Sequence, residues 1–187
     1  MKHLVPLLVA VALSACSSMG SHEPDRYFIL ESTTRAAAGP DPAAKVVVAR
    51  TSSASFYDTQ DIVYSREPGT RAYYRYGHWT ERPQRALHAQ LLSRLGTAAA
   101  GQPVLNSRLE EIYHDASQPP GAARITLAVE LIDPASRAII ARQRFTRTAP
   151  AASYDAAGAV SGMRQALDGL LDDVAAWVDA HAAPPAR

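Results

Sequence analysis

The residues able to do chemistry in this chain are few. Cys16 is the single thiol, and it follows Leu13-Ser14-Ala15, so a nucleophile stands directly behind two small residues. With no second cysteine, no disulfide can form within the chain. His22, His78, His88, His114 and His181 are scattered, with none paired at ligand spacing and no cysteine to join them, so no metal site is argued. The nearest approach to a hydrolase signature is Gly158-Ala159-Val160-Ser161-Gly162, where the serine falls one place too late and inside a helical pattern. No glycine-rich loop suited to phosphate occurs. Asp168, Asp172 and Asp173 read as a solvated helix face rather than an acid/base pair. This inventory points away from an enzyme. What remains is the thiol and an aromatic cluster, Tyr73, Tyr74, Tyr76 and Trp79, whose members are candidates for partner binding. Alternate aromatics of a strand also serve packing. Tyr73 and Tyr74 cannot both turn inward on a regular strand, so one of them faces outward.

The surroundings of Cys16 give its thiol a role. A basic start, Lys2 and His3, precedes an apolar run from Leu4 to Leu13, the layout of a secretory signal peptide. The run is half the length of about 20 residues that a bilayer-spanning helix needs. Leu13-Ser14-Ala15-Cys16 resembles the lipobox of bacterial lipoprotein precursors at every position. The resemblance implies cleavage before Cys16, with a diacylglyceryl group on its sulfur and an N-acyl chain such as palmitate. Each buried CH₂ contributes about 0.8 kcal/mol, so several chains hold a protein almost permanently. In such lipoproteins an Asp after the cysteine retains the protein at the inner membrane; Ser17 instead implies export to the outer membrane.

Composition narrows the rest. Taking the 15 signal residues from 187 leaves 172, a length suited to one domain with a real core. Without Lys2, basic and acidic residues balance at 18 each, which gives no footprint for nucleic acid. No other cofactor is indicated. The expected layout is a signal peptide over 1–15, a lipidated tether over 16–26, a folded domain over 27–181 and a frayed tail over 182–187. Stretched fully, the tether reaches on the order of 35 Å.

The elements that position the aromatic cluster follow from periodicity. Tyr27 to Leu30 and Lys45 to Arg50 read as short strands, separated by breakers at Gly39, Pro40 and Pro42. Phe56 to Arg66 and Ala72 to Trp79 flank Pro68-Gly69 and read as a hairpin. A helix starts at Pro83, puts Leu87, Leu91, Leu92 and Leu95 on one face, and ends at Gly96 or Gly101. From Val104 to Tyr113 the alternation is weaker, and Leu105, Leu109 and Tyr113 are expected on one face of a fifth strand. Ile125, Leu127, Val129 and Leu131 alternate cleanly inward, and Ile139 to Thr148 returns with Arg142, Arg144 and Thr146 on one face. The last element is a helix from Ser153 or Asp155 to about Ala180, with a stripe of Val160, Met163, Leu167, Leu170, Val174 and Trp177. At 1.5 Å per residue it is about 40 Å long, enough to span a sheet. The fold class is therefore α+β: an antiparallel or mixed sheet backed by two helices, one of them long and C-terminal.

One segment carries a further resemblance. Tyr57-Asp58-x-x-Asp61-Ile62-Val63-Tyr64-x-Arg66, a Tyr-rich strand, and then His78-Trp79-x-Glu81-x-Pro83 opening a helix together resemble the ABC-type transport auxiliary lipoprotein family. These are the PqiC-like proteins that accompany MCE-domain lipid transport systems. The family usually has Arg where His78 stands and often Leu where Thr59 stands. The resemblance implies a non-catalytic docking component on the periplasmic face of the outer membrane, serving a transporter for phospholipids or other hydrophobic molecules. Its implied partners are an MCE-domain protein and ABC transporter components. A homo-oligomer matched to a symmetric MCE partner is compatible with this reading, although no residue argues for it. Two alternatives stay open: a structural or regulatory envelope lipoprotein, such as a peptidoglycan synthase activator or secretion pilot, and a direct lipid carrier with an apolar cavity.

Overall fold

The computed structural model describes residues 23–33, 44–96 and 98–182. The signal peptide, Cys16, most of the tether and the tail beyond Ala182 lie outside the described residues.

In chain order the elements are β1 (Arg26–Phe28), β2 (Val47–Val48), β3 (Ser52–Ser53), β4 (Asp61–Ser65), β5 (Ala72–Trp79), α1 (Pro83–Leu95), β6 (Val104–Asp115), β7 (Ala122–Ile132), β8 (Ile139–Pro150) and α2 (Ala156–His181). The strands form one mixed eight-stranded sheet in the order β1-β5-β4-β6-β7-β8, with β2 and β3 also pairing β6. The α+β class with a long C-terminal helix is as expected.

Three long strands make the frame. β6, β7 and β8 run antiparallel as a meander, and Ile125, Leu127, Val129 and Leu131 all turn inward as their alternation requires. β2, β3 and β4 each lie parallel to β6, so residues 47–65 run along it as an interrupted strand. The segment expected as one strand from Phe56 is shorter: Ser55–Tyr57 is a 3₁₀ turn, and pairing with β5 starts at Asp61.

β6 corrects another expectation. Leu109 and Glu111 flank a register shift against β7 that leaves Glu110 as an extra residue. One extra residue reverses the faces beyond it. Leu105 and Leu109 therefore share the helix-facing side with Ile112 and His114, while Tyr113 turns to the other face beside Arg124.

α1 begins with Pro83 and closes on Gly96, whose φ of +69° favours glycine and whose N–H reaches Leu92 O at 3.0 Å. α2 begins on Asp155, whose carboxylate accepts from Gly158 N at 2.8 Å. Its inner stripe of Val160, Met163, Leu167, Leu170 and Val174 is fully buried, each side chain contributing about 1.5–3 kcal/mol of burial. Trp177 is half-buried, edge-on to Phe145 at 6.3 Å. The helix carboxylates are not simply solvated. Asp168 accepts from Ser32 and Thr33, Asp172 pairs with Arg94, Asp173 holds Arg147 and Asp179 holds Lys45. They fasten neighbouring segments to α2, each exposed pair contributing about 0–1 kcal/mol.

Candidate functional site

β5 carries the aromatic cluster, and its pairing decides where each ring goes. Between Asp61↔His78 and Val63↔Tyr73 the register moves by three residues, so β5 bulges over 74–77. An odd shift exchanges the faces. Tyr74 at the start of the bulge, Gly77 at its end and Trp79 beyond it thus share the helix-facing side. A Cβ on Gly77 would lie 3.5 Å from that of Tyr74 and 2.7 Å from that of Ala156, so only glycine lets α2 approach so closely.

The four rings separate accordingly. Trp79 is 1% exposed and belongs to the core, so it contributes nothing to a surface. Tyr76 is half-buried, with the Arg75 guanidinium 5.2 Å from its ring centre. Tyr73 is 43% exposed and stacks on Phe56 at 4.9 Å with the rings within 10° of parallel. Of the adjacent pair, Tyr73 is the one facing outward.

Tyr74 has a different partner. Its hydroxyl lies 2.7 Å from His114 Nδ1, and His114 Nε2 lies 2.9 Å from the Pro120 carbonyl. A carbonyl only accepts, so Nε2 carries the proton, and Nδ1 accepts from the Tyr74 hydroxyl. Burial pushes the Tyr74 phenol up to about 12, and burial also lowers the His114 pKa, keeping the imidazole neutral. Tyr154 closes the site, its ring edge-on to His114 at 6.0 Å and its hydroxyl donating to Ala116 O at 2.5 Å. Gly121 must be small here, since its φ is +83° and a Cβ would lie 2.3 Å from His114 Nε2. Among the described residues the hydrogen-bond partners of His114 are the Tyr74 hydroxyl and the Pro120 carbonyl. The pair ties β5, β6 and the 117–121 loop together.

The sheet face away from the helices is polar, and it is assembled from segments that local periodicity does not bring together. Glu111 accepts from Arg124 Nε at 3.1 Å, Thr126 Oγ1 at 3.0 Å and Arg71 Nη2 at 3.3 Å. Arg71 also donates to the Tyr57 hydroxyl at 2.9 Å and lies over the Tyr113 ring at 3.8 Å. Burial raises the Tyr57 pKa against the lowering pull of Arg71. Beside this ladder lies a groove of about 440 Å³ lined by Arg50, Ser52, Asn106, Arg108, Glu110 and Glu130. Its guanidinium, amide and hydroxyl groups suit polar contacts, and it holds no thiol or imidazole. The signal for this face was legible only in part: Arg142, Arg144 and Thr146 do share it, opposite Glu130, Ala128 and Thr126. Arg144 pairs with Glu110 at 2.7 Å. Among the described residues no group of three His, Cys, Asp or Glu side chains could hold a metal ion.

The comparison with known families settles what this geometry belongs to. The family described as ABC-type transport auxiliary lipoprotein component matches residues 28–175. The chain belongs to that family. Two solved structures share the family member's fold. A Xanthomonas campestris protein is 22% identical, covering 82% of this chain and 94% of its own, with a TM-score of 0.70. An uncharacterized protein is 14% identical over 83% of this chain and 99% of its own, at 0.65. At these identities the likeness concerns the fold alone. The PelC dodecamer of Paraburkholderia phytofirmans, 20% identical over 73% of this chain and 95% of its own, scores 0.35, too low for its assembly to bear on this auxiliary lipoprotein. No curated protein matches the chain.

Proposed function

We propose that the protein is a lipid-anchored, non-catalytic docking component of an ABC/MCE-type transport system for phospholipids or other hydrophobic molecules, held at the periplasmic face of the outer membrane. The family match over residues 28–175 carries this reading. The lipobox ending at Cys16 supports the anchor, and Ser17 supports the outer membrane. Among the described residues no helix is long and apolar enough to cross a membrane. Docking is favoured over direct carriage because the groove on the open sheet face is lined mostly by charged and polar side chains, and the more aromatic pocket between Phe28, Tyr74, Tyr76 and Tyr154 holds about 250 Å³, below the size of about 300–1,000 Å³ usual for ligand pockets. The exposed Tyr73–Phe56 stack is the best candidate for partner contact within the aromatic cluster.

Crosslinking in the cell envelope followed by pull-down tests the assignment. Recovery of an MCE-domain protein or ABC transporter component supports it. Recovery of a peptidoglycan synthase or secretion pore without either overturns it. Cys16→Ser tests the anchor separately, with the expected result that the protein leaves the membrane fraction.

A further inference from the structure

Tyr27 and Ile29 are the two most exposed large apolar side chains among the described residues, at 64% and 50%. They lie on one side of an extended segment whose other side is buried: Phe28 packs against the core and Leu30 is 4% exposed. The segment is not a loose end. β1 pairs with β5 as Tyr27↔His78 and Phe28↔Trp79, and Thr80 N donates to Phe28 O at 2.8 Å. The Tyr27 ring lies 5.5 Å from that of His78. Beyond β1, the Arg164 guanidinium donates twice to Ile29 O, at 2.9 and 3.2 Å. Two apolar side chains are thus held rigidly in water at the outermost strand of the sheet. Two exposed apolar side chains held side by side at one edge offer a small apolar contact surface.

Position names the occupant. Tyr27 stands 11 residues after Cys16. The chain between Cys16 and Glu23 spans about 25 Å at full stretch. The neighbouring charges, Glu23, Asp25, Glu31, Asp58 and Asp61 against Arg26, Arg82 and Arg164, carry no basic excess. That balance disfavours adsorption to anionic lipid and leaves apolar contact. Tyrosine, with an apolar ring and a polar tip, suits the headgroup layer.

We propose that the β1 edge is a second membrane contact, with Tyr27 and Ile29 seated in the headgroup layer of the bilayer that holds the Cys16 lipid. This rests on the anchored reading above. Anchoring makes the contact intramolecular, with an effective concentration in the millimolar range, so a weak contact is still populated. The consequence is an orientation. β8 is the opposite edge, five strand spacings or about 24 Å away, so its exposed Ile139 and Ile140 stand on the edge remote from the bilayer.

The full lipidated chain in phosphatidylcholine vesicles tests this with an environment-sensitive fluorophore on Tyr27→Cys, Ile29→Cys or Ile139→Cys, each checked for native circular dichroism. Acylation converts the Cys16 sulfur to a thioether, so only the introduced thiol takes label. Expected are a blue shift and quenching by brominated acyl chains at 27 and 29, unchanged in high salt, with a water-like spectrum at 139. Water-like emission at 27 and 29 from protein that floats with the vesicles overturns the contact and leaves the anchor standing. Protein that does not float, or a parent chain that labels at Cys16, overturns both.

Discussion

Removing one oxygen atom, by Tyr74→Phe, tests the account of the buried site at His114. His114 is 0% exposed, and its Nε2–H is committed to the Pro120 carbonyl at 2.9 Å. Its Nδ1 lone pair therefore depends on the Tyr74 hydroxyl at 2.7 Å. Phenylalanine keeps the ring contacts to Tyr64 at 4.8 Å and His114 at 6.2 Å and removes only the donor. An unpaired buried acceptor costs about 1–3 kcal/mol. At about 2–4 °C per kcal/mol for a domain of this size, a loss of about 2 kcal/mol lowers Tm by about 4–8 °C. Thermal and urea unfolding of the mature chain carrying Cys16→Ser measures it. The control is Tyr73→Phe, since that ring is 43% exposed and its hydroxyl stands 3.4 Å from Phe56 O. The control is expected within about 0.5 kcal/mol of the parent. Equal effects at 73 and 74 would refute the assignment of the His114 tautomer and its partner.

Three further outcomes follow from the same packing. Gly77→Ala places a methyl 2.7 Å from Ala156 Cβ and is expected to cost about 1–3 kcal/mol by overpacking, with Ala156→Gly restoring part of the loss in a double-mutant cycle. Asp155→Ala removes the acceptor for Gly158 N at 2.8 Å and is expected to cost about 1 kcal/mol, while Asp155→Ser retains most of the cap; the same hydrogen bond holds the Asp155 carboxyl below its ordinary pKa. Because burial lowers the His114 pKa, the unfolded chain binds the extra proton first, so stability is complete above about pH 6.5 and falls as pH drops through that value. Unfolding free energies of the parent and His114→Phe between pH 7 and 5 check the sign: the variant lacks this slope, and an identical slope in both rules out His114 as its source.

Some of this protein was legible in local pattern. Strict alternation from Ile125 to Leu131 and the three-and-four spacing from Val160 to Val174 name an inward face for each element without reference to its neighbours, because side-chain periodicity is a property of the backbone alone. The caps on Pro83, Gly96 and Asp155 are equally local. So is the signal of Cys16 and the residues before it, which remains a sequence argument. Tertiary structure decided what periodicity does not carry: which strands pair, and in what register. The one-residue shift at Glu110 moved Tyr113 to the open face and set His114 in the core. The three-residue shift in β5 put Tyr74 and Trp79 on one side, leaving Tyr73 as the exposed ring of the adjacent pair. The Glu111 ladder needed residues from the β4–β5 connection, β6 and β7 to meet. Such meetings are set by long-range burial and hydrogen-bond satisfaction across the whole sheet, which no short window of sequence contains.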